Sequence, residues 1–207
     1  MLKTTEFPEF MAQAPSIVVH DALAEFLGAV RGGTIVYRFS DAVRLAGHSC
    51  PTVAAAFLMA RAALGHLFRD ELPRRGEIRV DCRERRDAGV TGVIAAVFTL
   101  ISGAAEDGGF RGLGGRFERR NRLHFKQPIA GEFRFTRLDS GKAIDVSARL
   151  DRVPGDPRSG ELMPLCLAGK ATRDQVEQFR DLWQDRVRRL LLEHADDPAV
   201  IVLQTPD

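Results

Sequence analysis

Glu132-Phe133-Arg134-Phe135-Thr136-Arg137-Leu138, Asp139-Ser140-Gly141, then Lys142-Ala143-Ile144-Asp145-Val146-Ser147-Ala148-Arg149-Leu150: two runs of alternating apolar and polar side chains flank three residues of turn chemistry. The pattern predicts a β-hairpin with one buried face. A third alternating run, Arg122 to Lys126, precedes it, and Val200 to Leu203 reads as a short closing strand. Upstream the period is mostly helical. Thr52 to Leu67 carries Val53, Ala56, Phe57, Ala60, Leu64 and Leu67 on one face, with small alanines around the rest. Val90 to Ser102 is apolar nearly all round and reads as a buried helix. Val19 to Val30 and Ala42 to Ala46, the latter capped by Ser40-Asp41 and stopped by Gly47, read as shorter helices. Thr34 to Phe39 and Glu77 to Cys82 read as strands, and Pro154 to Pro164 as a loop. Thr172 is a good N-cap for a long C-terminal helix, about residues 172–194. Its apolar stripe is Val176, Phe179, Leu182, Trp183, Val187, Leu190 and Leu191. Helices followed by clustered antiparallel strands predict an α+β fold, with helices packed on a mixed, largely antiparallel sheet.

At 207 residues the chain is expected to form one domain, residues 1–207. Hydrophobic residues at 44% and charged residues at 28% suffice for a buried core. Thirty Lys and Arg against 28 Asp and Glu leave a net +2, so bulk charge gives no argument for nucleic acid. No apolar run approaches the roughly 20 residues of a membrane span, and the N-terminus lacks the apolar region of a secretory signal. Three cysteines cannot all pair within one chain, which fits a reducing compartment. A cytoplasmic location without membrane contact is expected.

Gly47-His48-Ser49-Cys50-Pro51 is the densest cluster of reactive side chains. It stands immediately before a helix, whose free N–H groups and dipole favour negative charge. A thiolate is stabilised there, and an imidazole two residues away completes a pair suited to zinc or another first-row metal. A capping loop with a buried cysteine and a surface histidine accounts for the same spacing.

Ala46-Gly47-His48-Ser49-Cys50-Pro51-Thr52, followed by an alanine-rich helix through Met59 and Ala60, resembles the HGHxCPG signature of the FmdE-like family. That family takes its name from one of the subunits of molybdenum and tungsten formylmethanofuran dehydrogenases. The likeness continues through Val80-Asp81-Cys82, the helix from Gly92 to Ser102 and the glycine-rich stretch before Leu123-His124-Phe125, spanning roughly residues 35–130. Ala46 stands in place of the family's first histidine and Thr52 in place of its last glycine. The four-cysteine finger of some members is absent, Cys166 being the only cysteine of the tail. The resemblance implies an α+β core whose His-Cys loop binds a metal, often in a homodimer, and no particular reaction.

His48 and Cys50 supply two ligands, whereas a structural zinc takes four and a catalytic one three plus water. By the resemblance, Cys82 is expected as the third, although Ile78, Val80 and Cys82 share one strand face and a cysteine there is ordinarily core. Asp81 points to the other face, where carboxylates are mostly solvated. His124 alternates with Leu123 and Phe125, so it faces away from the core and can line a cleft. Cys166, between Leu165 and Leu167, reads as a packing residue.

From Arg111 to Lys126 six cationic side chains stand against Glu118 alone. Guanidinium groups beside glycine backbone favour carboxylate or phosphate, so Arg116, Arg119 and His124 are expected to contact a small anionic ligand. A solvated basic loop is the plainer reading. No RNP-like or helix-turn-helix pattern accompanies these residues, which argues against nucleic acid, and no P-loop, G-x-S-x-G or H-E-x-x-H motif is present. Three expectations follow: a zinc-binding homodimer with an anion site, a metal-dependent enzyme with Asp81 or His124 as base, or an interaction subunit built on the C-terminal helix.

Overall fold

The computed structural model describes residues 6–206. Along the chain run α1 (Phe10–Gln13), β1 (Ile17–His20), α2 (Ala22–Phe26), β2 (Thr34–Tyr37), α3 (Phe39–Ala46) and α4 (Pro51–Phe68). There follow β3 (Ile78–Cys82), α5 (Thr91–Ser102), β4 (Leu123–His124), β5 (Phe133–Arg137) and β6 (Ala143–Ala148). The chain closes with α6 (Pro157–Leu167), α7 (Arg173–Leu192) and β7 (Ile201–Gln204). The fold is α+β. Five strands form one mixed sheet in the order β4-β3-β5-β6-β7, with β3 and β4 parallel and the other pairs antiparallel. β1 and β2 form a separate antiparallel pair.

The hairpin forms as its alternation dictates. Phe133 and Phe135 point into the core, Gly141 takes the left-handed φ of 70° at the turn, and Thr136 pairs with Ala143. Phe98 of α5 stands edge-on to both phenylalanines, with ring centroids at 5.0 and 4.9 Å. α4 lies against β5, β6 and β7 on one side and α3, α5 and α7 on the others. Most of its surface is accordingly buried, the exceptions being the half-buried Thr52, Arg61 and Ala62 and the exposed Gly65 and His66. By length and composition alone α4 is apolar enough to cross a membrane, and its place as the core helix accounts for that composition.

Four sequence expectations are corrected. The segment read as a helix from Val19 to Val30 is split. Ile17, Val18 and Val19 are β-branched and pair with β2, and Asp21 then caps a short α2 that ends before Gly28. Phe26 and Leu27, which set the helical spacing, are exposed. Phe39 starts α3 instead of ending a strand, and the cap is Arg38, whose N–H donates to Asp41 Oδ2 at 2.8 Å. The stretch from Pro154 to Pro164 is largely α6, because Asp156 caps it and Pro157 occupies the first turn, where proline is accommodated. The run from Arg122 to Lys126 forms only the two-residue β4. α7 begins at the predicted Thr172 with a Thr172–Gln175 capping box, and its stripe is buried at Val187, Leu190 and Leu191 and half-buried from Val176 to Trp183.

Candidate functional site

β1 delivers Asp21 to the rim of the fold, where its carboxylate accepts four hydrogen bonds. Oδ1 takes the N–H groups of Leu23 (2.9 Å) and Ala24 (3.1 Å), capping α2, and Arg119 Nη2 at 2.8 Å. Oδ2 takes Arg75 Nη1 at 2.9 Å. Arg75 is fixed from behind by donating Nε and Nη2 to Leu100 O at the end of α5. Arg119 is only 6% exposed, so the expectation of a solvated arginine fails there: the glycine-rich loop folds over it and buries it against Asp21. Its backbone is held by Arg119 N donating to Phe110 O and by Ala105 N donating to Arg119 O. The guanidinium passes between Gly76 and Gly103, both at positive φ, where an added Cβ would collide with it.

Asp21 and Arg119 both feel the loss of water. Burial pushes the Asp21 carboxyl up, but the Arg75 hydrogen bond, the Ala24 N–H and the two guanidinium charges outweigh it and hold Asp21 below the usual carboxylate value. Burial also lowers Arg119, with Asp21 acting against that shift. Nη1 of Arg119 is buried and has no hydrogen-bond partner among the described residues. Buried guanidinium donors are ordinarily satisfied.

Arg75 and Arg119 line a cavity of about 270 Å³ together with Ala22, Gly76, Glu77, Arg116, Phe117 and Arg122. The structure thus brings predicted Arg116 and Arg119 together and adds Arg75 and Arg122. Among the described residues Arg116 and Arg122 have no ion-pair partner within 4.0 Å, while Glu118 is taken by Arg120. Asp21 and Arg75 escaped the sequence reading. Asp21 sat inside an apparent helix, and its partner lies 98 residues away.

His124 is placed elsewhere, so the three predicted ligand contacts do not form one site. It lines a cleft of about 280 Å³ with Arg79, Asp81, Gln127 and Arg134. Strand register sets His124 beside Asp81, Asp81 beside Arg134, Arg134 beside Asp145 and Asp145 beside Gln204, a polar row across all five strands. Asp81 is buried, not solvated, with Arg79 Nε donating to its Oδ2 at 2.9 Å. Arg134 grips Asp145 through two donors, at 2.6 and 3.1 Å.

The His48-Ser49-Cys50 turn lies at the start of α4, as predicted. Cys50 is the N-cap, its Sγ accepting the Val53 N–H at 3.5 Å. His48 is exposed and its Nδ1 lies 2.9 Å from Ala46 O, so Nδ1–H donates to that carbonyl. α7 clamps the turn: Ser49 O accepts from Trp183 Nε1 (3.1 Å) and Gln184 Nε2 (3.2 Å), and Ser49 Oγ donates to Gln184 Oε1 (2.9 Å). Cys82 is fully buried on the core face of β3, and burial, helped by the Asp81 charge, pushes its thiol up to about 12. Among the described residues no three His, Cys, Asp or Glu side chains gather as a metal ligand set. Among the described residues Cys82 is thus not gathered with His48 and Cys50 into one ligand set. Cys166 is half-buried on α6, not a core residue.

A scan against protein-family models finds no match to this chain, and a search of curated proteins finds none either.

Proposed function

We propose that this chain binds a small anion in the pocket of Arg75, Arg116, Arg119 and Arg122. The observation that carries the reading is that four arginines line one cavity, two of them, Arg75 and Arg119, fixed by Asp21 and two, Arg116 and Arg122, without an ion-pair partner among the described residues. Asp21 balances part of the charge of Arg75 and Arg119 and fixes them in place, and Arg116 and Arg122 are left with unpaired charge at the cavity. A preset cluster of this kind favours carboxylate or phosphate, because charge-assisted bonds to guanidinium are about twice as strong as neutral ones. Calorimetric titration of the whole chain with inorganic phosphate at low ionic strength tests it. Saturable binding that weakens at least about tenfold in Arg122→Ala, with melting temperature unchanged, is expected; equal affinity in wild type and variant overturns the reading.

The second reading, from the resemblance to the FmdE-like family, is that His48 and Cys50 hold zinc or a similar divalent metal between two copies of the chain, so that a homodimer supplies the missing ligands. The support is the His48 ring, whose Nδ1–H donates to Ala46 O. Metal-bound histidines commonly have this outer arrangement. Two such turns would give a Cys₂His₂ set, and Cys82 is not required. Elemental analysis with sedimentation equilibrium tests it: about one metal per two chains, lost in Cys50→Ser and His48→Ala, is expected. A metal-free monomer would leave the turn as a helix cap. Three free cysteines agree with a reducing, cytoplasmic setting for either reading.

A further inference from the structure

One aromatic ring lines the arginine pocket and a second packs against it. Phe117 lines the cavity itself, and its ring centroid lies 5.3 Å from that of Phe26, with the planes tilted by 34°. Phe26 is 61% exposed, although a phenylalanine ordinarily seeks cover. It sits four residues beyond Ala22 on α2, and Ala22 also lines the cavity, so both lie on the side of α2 that faces the pocket. Phe117 holds φ at +64°, a left-handed conformation that costs a bulky side chain energy, and the Arg116 guanidinium lies 4.7 Å from its ring centroid. Strained backbone thus supports an apolar, flat-sided rim directly beside cationic groups.

We infer that the ligand of this pocket is an aryl anion, a flat aromatic ring joined to a phosphate or carboxylate, with the ring on Phe26 and Phe117 and the anionic group on Arg119 and Arg122. The inference rests on the anion reading above. A bare inorganic anion would use the arginines and leave the rim uncovered. A long aliphatic anion would gain burial there without the stacking geometry that two tilted rings offer.

Calorimetry on the full chain with phenyl phosphate, methyl phosphate and inorganic phosphate tests this, in wild type and in Phe26→Ala. Removing a ring that is already exposed leaves the fold intact, and the melting temperature checks it. Phenyl phosphate should bind about tenfold more tightly than methyl phosphate, a factor equal to about 1.4 kcal/mol. Phe26→Ala should reduce that preference to under about threefold with methyl phosphate affinity unchanged. Equal affinities for the two esters in wild type, or a preference that survives Phe26→Ala, would overturn the aryl inference while leaving the anion reading in place. If none of the three probes binds, the anion reading itself fails. A dimer that Phe26→Ala converts to monomer, with the ester ratio unchanged, would assign the rim to a chain–chain interface and overturn the inference.

Discussion

Arg119 reaches Asp21 from 98 residues away, with Nη2 donating to Oδ1 at 2.8 Å, and the two side chains are almost fully removed from water. Neither group tolerates that burial alone. Their pairing, with Arg75 as third member, joins the β1–α2 corner to the glycine-rich loop and sets the inner wall of the cavity. Breaking a buried pair strands the surviving charge, which makes this contact more sensitive to substitution than the many exposed ion pairs of α7.

Asp21→Asn should therefore destabilise the chain by about 3–5 kcal/mol at neutral pH, since two guanidinium groups lose their counter-charge while Asn still caps α2. The pH dependence has a definite sign. Asp21 is held below its ordinary 3.8 in the folded chain, so its contribution is present above about pH 4 and disappears as the pH falls through the folded value. Urea unfolding at a series of pH values should show wild type losing stability as the pH falls below about 4, and Asp21→Asn losing less over the same range. Parallel curves for the two proteins would contradict the assignment.

Gly76→Ala is expected to cost about 2–4 kcal/mol, the upper part of the usual range for point changes. Gly76 has φ +92°, and a Cβ built there falls inside the Arg119 guanidinium, which would have to leave its place against Asp21. At Gly103 the Cβ would stand 2.7 Å from Arg119 Nη1 with φ +74°, and Gly103→Ala should cost a similar amount. Gly108, with nothing within 4 Å and no positive φ, is the control: Gly108→Ala should shift the unfolding midpoint very little. A Gly76→Ala chain as stable as Gly108→Ala would show that Arg119 is not confined.

The hairpin, α4, α5 and α7 were legible because each buries one face or all faces, and burial is what hydrophobic period encodes. Phe133 and Phe135 alternate and sit under Phe98; Val187, Leu190 and Leu191 recur at helical spacing and are covered. The Val19–Val30 segment misled because Leu23, Phe26 and Leu27 imitate a buried helical face while two of them are exposed. The Arg119 site was half legible. Charge density marked the Arg111–Lys126 stretch, but nothing local distinguishes the buried Arg119 from the exposed Arg116. The difference is made by Asp21, Gly76 and Gly103, which only the fold brings together.

The cysteines should label in an order set by access. Cys166 is half-buried on α6, Cys50 is buried at the start of α4 with its sulfur accepting the Val53 N–H, and Cys82 has no exposure at all. Near pH 8 a maleimide should modify Cys166 first and Cys82 last. Cys82 is further protected because burial raises its thiol to about 12, leaving on the order of one thiolate in 10⁴ at that pH. Mass spectrometry of time points reads the order. Modification of Cys82 ahead of Cys166 in the folded chain would contradict the core position of β3.

The contact between α7 and the His48-Ser49-Cys50 turn gives the last prediction. Ser49 makes three hydrogen bonds to α7, two of them to Gln184 and one from the indole of Trp183, the only tryptophan in the chain. Gln184→Leu keeps the bulk and removes both side-chain partners, leaving Ser49 Oγ without an acceptor in a partly buried place; a loss of about 1–3 kcal/mol is expected. Trp183→Phe removes one donor and part of the packing and should cost about 0.5–1.5 kcal/mol from the hydrogen bond alone. Because the turn is anchored from outside its own segment, Gln184→Leu should also raise amide exchange across residues 46–50 while leaving β5 and β6 protected, a local opening well below global unfolding. Hydrogen exchange with peptide-level mass spectrometry separates the two effects. If the 46–50 segment exchanges at the wild-type rate in Gln184→Leu, the turn is held by α4 alone and the clamp from α7 is refuted.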